Sequence, residues 1–200
     1  MMARKLMLVW MVTAAMGLGA CATKVERMEV EDVRDLSGQW NDTDSRLVSE
    51  EMIADVLSRP WRSAFEQQNG RLPTVIVGGI RNLSQEHINV NTFVRDMERA
   101  LINSGQVSFV ASSEERGEIR GERMDQDLHA REDTRKPMGQ EIGADFMLKG
   151  EINTIIDKEG KRQVRFYQVD LTLISLADNR KVWVGQKKIK KFVTKPSLRP

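Results

Sequence analysis

The stretch Tyr167-Gln168-Val169-Asp170-Leu171-Thr172-Leu173 decides the fold, because apolar and polar side chains alternate along it. An alternation with a period of two is typical of a β-strand that buries one face and exposes the other. The stretch lies within a longer predicted strand over residues 163–176. The turn Ala177-Asp178-Asn179-Arg180 then leads into a final predicted strand over residues 181–193. The end of the chain is therefore predicted to form antiparallel strands with one apolar face.

Three further strands are predicted upstream of this pair. Residues 144–156 precede the turn residues Asp157-Lys158-Glu159-Gly160 and extend the antiparallel meander. The β-branched run from Pro73 to Ile80 has the composition of a buried strand. Residues 107–111 follow a helical segment, and the order strand, helix, strand favours a parallel pair joined by a right-handed crossover.

The helices are predicted from apolar stripes and from their end signals. Residues 44–58 carry one apolar face, with Asp44 or Ser45 as the expected cap. Asn91 is the expected cap of the clearest helix, and Ser112 with Glu115 is the expected capping box of a charge-rich, exposed helix. Two shorter helices are expected over residues 60–69 and 137–143. The predicted class is α+β: one small mixed, mostly antiparallel sheet of four to five strands, flanked by helices.

The amino-terminal 21 residues have the organisation of an export signal. Two cations, Arg4 and Lys5, precede an apolar run that is too short to span a bilayer. The stretch Leu18-Gly19-Ala20-Cys21 resembles the bacterial lipobox. That resemblance implies lipid transfer to the Cys21 sulfur, cleavage after Ala20, and acylation of the new amine, with palmitate as the expected acyl chain. The alternative is an ordinary cleaved signal followed by an unpaired cysteine.

These signals divide the chain into three predicted parts: a lipoprotein signal peptide over residues 1–20, a lipidated flexible tether over residues 21–43, and a globular domain over residues 44–200. If part of the tether docks on the domain, Trp40 is the expected anchor. Ala22 follows the cysteine, where an aspartate retains many lipoproteins at the inner membrane. We therefore expect outer-membrane localisation, with the lipid-anchored domain facing the periplasm.

Removal of residues 1–20 lowers the formal charge from +2 to zero, which argues against a nucleic-acid partner.

The chain shows no residue pattern that indicates catalysis, a cofactor or a metal. His87 and His129 have no partner residues at ligand spacing, and Gly78-Gly79 lacks the rest of a nucleotide-binding motif. The carboxylates Asp145, Glu151 and Asp157 are expected at strand edges, with paired catalytic carboxylates as the alternative. We therefore predict that the protein is not an enzyme.

The lysine-rich run Lys187-Lys188-Ile189-Lys190-Lys191 permits two interpretations. It is either a patch for an anionic partner or an edge strand whose lysines prevent edge-to-edge pairing. Because side chains alternate along a strand, these lysines are expected to divide between the two faces of the sheet.

Three stretches together resemble the LpoB family, the outer-membrane lipoproteins that activate bifunctional penicillin-binding proteins. The stretches are Asn89 to Val110, Ile142 to Leu148, and Gln168 to Gly185, and the lipobox agrees with them. The resemblance covers about residues 44–193. It implies a small sheet with flanking helices, a class A bifunctional penicillin-binding protein as partner, and a role in peptidoglycan synthesis.

Two functions follow as expectations. In the first, the lipoprotein binds and allosterically activates a peptidoglycan synthase. The alternative is a non-enzymatic lipoprotein subunit of an envelope assembly or secretion complex, which could use the same domain and anchor. The segment 22–43 is short and contains no proline, whereas well-known family members have a long, proline-rich tether. The sequence leaves the residues of any partner-binding surface unassigned.

Overall fold

The computed structural model describes residues 25–194, so Cys21 lies outside the described residues. The chain divides into two units, residues 1–33 and residues 34–200. Within the first unit, residues 25–33 are exposed and contain one turn, in which the Asp32 N–H donates to the Glu29 carbonyl. All of the helices and strands described below belong to the second unit.

Four helices and five strands lie within residues 34–194. The helices are α1 (Asp42–Ser58), α2 (Trp61–Asn69), α3 (Val90–Asn103) and α4 (Ser113–His129). The strands are β1 (Thr74–Asn82), β2 (Ser108–Phe109), β3 (Phe146–Glu159), β4 (Arg162–Ser175) and β5 (Lys181–Thr194). They form one sheet in the order β2-β1-β3-β4-β5, in which β1 is parallel to β2 and β3, and the last three strands are antiparallel. The α+β class and the parallel β1–β2 pair are confirmed.

One face of the sheet carries the core, because β4 alternates as its sequence predicts. Val169, Leu171 and Leu173 are buried on this face, and their partners on β3 include Leu148 and Ile152. Helices α1 and α3 cover them. The apolar stripe of α3 is buried in the same cluster: Phe93, Met97 and Leu101. The other face of β3, β4 and β5 has exposed or half-buried side chains, and we call it the open face.

A close approach on β5 requires a glycine. A Cβ atom at Gly185 would lie 2.2 Å from the Trp183 ring and 2.8 Å from the Met52 sulfur. The missing side chain allows the Trp183 ring to lie along β5 beneath α1. The Trp183 indole N–H then donates to the Asp55 carboxylate of α1 at 2.6 Å, so the helix is held to the strand by both packing and a hydrogen bond.

Several predicted helix boundaries are wrong. Asn41 caps α1 in place of Asp44 or Ser45, and Asp44 is instead the reciprocal partner in a capping box. Asn89 caps α3 in place of Asn91, and its side chain accepts a hydrogen bond from the Asn91 N–H. No helix forms over residues 137–143, where Gly139 has a φ of 79°, a left-handed conformation that interrupts a right-handed helix. The capping box of Ser112 and Glu115 on α4 is confirmed, and no residue of α4 is buried.

The two ends of the sheet differ, and we call them the base and the tip. The base contains the β3–β4 turn around Gly160, and the tip contains the β4–β5 turn over residues 176–180 together with α2. Helix α1 runs from the base, where Asp44 contacts Lys191, towards the tip, where Asp55 contacts Trp183. Strands of 14 residues span about 46 Å at about 3.3 Å per residue, which sets the distance between the two ends.

Candidate partner-binding surfaces

Two of the three carboxylates considered for catalysis have structural partners. Asp145 accepts two hydrogen bonds from Arg71 at 2.7 and 2.8 Å and one from the Thr74 N–H at 2.8 Å, which joins the start of β1 to β3. Partial burial opposes the ionisation of Asp145, but Arg71 and Thr74 outweigh it and lower the pKa of this carboxyl group. Glu151 pairs with Arg81 across the sheet at 2.9 Å, and Asp157 is exposed.

Metal-ligating side chains do not cluster within residues 25–194. No group of three or more histidine, cysteine, aspartate or glutamate side chains there could hold a metal ion. His87 is exposed, and His129 lies 3.2 Å from Asp125 on the same helix.

Across the same residues, no helix combines the length and the apolar character needed to cross a bilayer. The lipidation predicted for Cys21 falls outside the described residues.

Residues 34–41 are bound to the base of the sheet, and we call them the docked segment. The Trp40 ring packs edge-on against Tyr167, with ring centroids 5.5 Å apart and an interplanar angle of 69°. The Trp40 indole N–H donates to Ser45 at 2.8 Å. The Tyr167 hydroxyl lies 3.3 Å from the Gly38 carbonyl. Trp40 is the residue of this region that the sequence marked as an anchor.

Lys191 binds the docked segment through charge. Its ammonium group donates to Asp35 at 2.6 Å, to Asp44 at 2.7 Å and to the Gln39 carbonyl at 3.2 Å. Burial disfavours the ammonium ion, yet the two carboxylates outweigh this effect and raise the pKa of Lys191. The hydrogen bond from Lys191 in turn lowers the pKa of Asp35. The ion pairs thus connect the docked segment, α1 and the end of β5.

A second buried carboxylate, Glu86, fixes the loop that precedes α3. It accepts hydrogen bonds from the Tyr167 hydroxyl at 2.8 and 2.9 Å and from the Trp40 N–H at 3.1 Å, and it pairs with Arg165. Burial and the neighbouring Glu86 carboxylate raise the pKa of Tyr167 to about 12, against a weaker opposing effect of Arg165. These contacts place the entry of the chain into the domain at the base.

An open groove of about 870 Å³ lies at the tip, between α2 and the β4–β5 turn. Its apolar wall is an aromatic cluster: Trp61 and Phe65 each pack edge-on against Phe146, at centroid distances of 5.1 and 5.4 Å. The guanidinium of Arg71 lies 5.0 Å from the Phe65 ring centre. On the opposite wall, Leu176 is 44% exposed. We call this feature the tip groove.

The tip groove arises because α2 is short and sharply bounded. Pro60 precedes its first residue, and Gly70 ends it with a φ of 66°. Trp61 and Phe65 are four residues apart, so both lie on the same face of the helix. The Trp61 indole N–H donates to the Val56 carbonyl at 2.7 Å, which fixes the angle between α1 and α2. The sequence predicted this short helix but not the groove.

A second apolar surface lies on the open face at the base. Ile155 pairs with Phe166, and Val164 pairs with Phe192, so the four side chains form one patch across three strands. Ile155 is 66% exposed and Phe192 is 68% exposed, whereas the two central side chains are half-buried. We call this set the base patch. The sequence analysis did not identify it, although Ile155 and Phe192 are large apolar residues beside charged neighbours.

The lysines of β5 divide between the two faces, as predicted. Lys187 and Lys191 lie on the core face and pair with Glu51 and Asp44 of α1. Lys188 and Lys190 lie on the open face and are exposed. β5 is an edge strand of the sheet, which is the position at which one interpretation expected lysines to prevent edge-to-edge pairing.

The sequence matches the family model of the peptidoglycan-synthase activator LpoB over residues 44–189. This match covers most of the chain, so the protein belongs to the LpoB family. The family is one of regulatory activators and not of enzymes. No curated protein matches the sequence.

Three solved structures illustrate the likeness to known proteins. The LpoB C-terminal domain from Salmonella enterica is 15% identical, covers 66% of this chain and 94% of its own, and has a TM-score of 0.36. The corresponding domain from Escherichia coli is 12% identical, with 65% and 95% coverage and a TM-score of 0.37. Lipoprotein GNA1162 from Neisseria meningitidis is 14% identical, with 60% and 83% coverage and a TM-score of 0.36.

Proposed function

We propose that this protein is an outer-membrane lipoprotein that binds and allosterically activates a class A bifunctional penicillin-binding protein in the periplasm. The family match over residues 44–189 carries the proposal. Activation by binding requires that the domain prefer one conformation of the synthase and so increase the population of that conformation.

The lipid anchor belongs to the same proposal. Diacylglyceryl and palmitoyl chains on Cys21 would hold the chain firmly, because two or more acyl chains give stable membrane binding where one gives only marginal binding. Residues 21–33 precede the docked segment and form the part of the chain between the lipid and the domain. Their full extension is about 47 Å at about 3.6 Å per residue.

The tip groove is the surface that we assign to the synthase. The chain enters the domain at the base, held by Lys191 and Tyr167, so the tip is the end farthest from the anchor. The part of β5 between Lys191 and the tip adds about 33 Å to the reach of the short tether, at about 3.3 Å per residue. The half-buried Phe65 lies over the buried Trp61 and Phe146, and the exposed Leu176 and the flanking Arg71 lie beside it. Aromatic and arginine side chains are enriched in hot spots for protein binding. A synthase segment with an apolar side chain would fill the groove.

Affinity capture of the lipidated protein from solubilised envelope separates this function from the assembly-subunit alternative. The proposal predicts a class A penicillin-binding protein as the main captured partner, identified by mass spectrometry. Replacement of Leu176 by aspartate should lose that partner, because it removes an apolar contact and forces a carboxylate to lose its water in the interface. The matched control is Val184→Asp, at an exposed open-face position outside the groove. Capture of a multi-subunit assembly without a synthase would contradict the proposal.

A further inference from the structure

The base patch lies at the end of the domain where the lipid-bearing chain enters. Lys191 binds Asp35 of the docked segment from the core face of β5, and the adjacent Phe192 projects from the open face. The end of the docked segment is therefore close to the patch. Residues 21–33 are 13 in number. As a coil such a segment has an end-to-end distance of about 20 Å, so the anchor keeps the base near the membrane surface.

The composition of the patch suits a phospholipid surface. Phe192 and Ile155 present exposed apolar side chains, which can enter the boundary between headgroups and acyl chains. Lys188 and Lys190 lie on the same face of β5 and can reach anionic headgroups with their long side chains. The acidic groups lie on the β3 side: Asp157 beside Val164, and Glu159 paired with Arg162 at 3.0 Å. The cationic side of the patch is thus the edge strand β5.

The anchor changes the affinity that such a contact requires. Once the lipid is inserted, contact between patch and bilayer becomes intramolecular, and the short tether gives it a high effective concentration. A small apolar patch with two lysines can then remain bound, although the same patch on an untethered domain would bind vesicles weakly. The tether does not hold a soluble protein partner close to the base patch. The membrane is therefore the favoured binding partner of the patch.

We infer that the base patch rests on the phospholipid surface that holds the anchor, so that the domain stands with its tip directed towards the cell wall. This inference rests on the proposed lipid anchor at Cys21 and is independent of the identity of the synthase. The contact would restrict rotation of the domain about its tether and would present the tip groove away from the membrane.

Fluorescence quenching by brominated lipids tests the contact directly. The lipidated full-length protein is purified with Phe192→Trp or with Val184→Trp and is reconstituted into vesicles of phosphatidylethanolamine and phosphatidylglycerol brominated on their acyl chains. Both positions are exposed on the open face of β5, at 68% and 61%, but Val184 lies towards the tip. We expect brominated lipid to quench the added fluorescence at position 192 and to leave that at position 184 unchanged.

Two further measurements complete the test. Replacing Lys188 and Lys190 by glutamate in the Phe192→Trp protein should reduce the quenching, because anionic lipid would then repel the edge strand. Circular dichroism of each variant confirms that it has folded. A wild-type chain that does not float with vesicles would overturn the anchor and the contact together. A chain that floats but shows equal quenching at positions 192 and 184 would overturn the contact alone, as would dimerisation through the patch in sedimentation experiments.

Discussion

Replacement of Leu101 by alanine tests the packing of α3 against the sheet. Leu101 is 3% exposed and lines, with Val107, Leu148 and Trp183, a remaining void of only about 10 Å³. Half of the other residues that line this void belong to strands held by backbone hydrogen bonds, and these strands cannot move in to fill the space. Leucine-to-alanine changes in protein cores cost 2–5 kcal/mol, and a site that cannot collapse falls in the upper part of that range. We expect a loss of about 3–5 kcal/mol in the free energy of unfolding.

The assay is thermal or urea unfolding followed by circular dichroism. For a domain of this size each kcal/mol shifts the melting temperature by about 2–4 °C, so Leu101→Ala should melt about 6–20 °C below wild type. The matched control is Ile102→Ala on the next position of the same helix, where the side chain is 51% exposed. The control should stay within about 0.5 kcal/mol of wild type. Equal unfolding midpoints for the two variants would refute the packing described here.

Three further predictions concern single residues. Tyr167 is the only tyrosine of the chain, so an ultraviolet titration of the folded protein should show its ionisation near pH 12. The raised pKa of Tyr167 stabilises the folded protein below pH 10, and this stabilisation should be lost as the pH rises from 10 to 12. Because Lys191 lowers the pKa of Asp35 from 3.8, their pair stabilises the protein above that pH. The stability gap between wild type and Lys191→Met should therefore narrow as the pH falls below 3.8, as acid unfolding curves would show. Cys21→Ala should abolish the incorporation of lipid, measured by metabolic labelling with palmitate, and should leave uncleaved precursor. Palmitate label on the mutant protein would exclude Cys21 as the lipidation site.

The parts of the fold that follow local rules could be predicted from the sequence. The alternation of Val169, Leu171 and Leu173 predicted β4, and the apolar stripe of α3 predicted that one face of this helix packs against the core. The cap at Asn41 was harder to predict, because Asp44 and Ser45 also have the chemistry of caps. Their burial against the base of the sheet depends on tertiary contacts that no local pattern reports.

The candidate surfaces depend on residues that are distant in the sequence. Lys191 meets Asp35 across 156 positions and Glu86 meets Tyr167 across 81, so neither pair has a local signal. The tip groove joins α2 to the β4–β5 turn through Phe146, which belongs to a third element. Sequence reasoning identified Trp40 as an anchor because a large aromatic residue in an otherwise polar stretch indicates burial. It could not identify the surface to which Trp40 binds.

The rate of glycan polymerisation tests the central claim most directly. The unlipidated mature chain, beginning at Ala22, is added to lipid II and each bifunctional penicillin-binding protein of the host. The account predicts that the domain binds at least one of these synthases and raises its polymerisation rate, and that Leu176→Asp loses both effects while Val184→Asp retains them. Absence of binding and an unchanged rate with every synthase would contradict the claim that this protein is an activator of peptidoglycan synthesis.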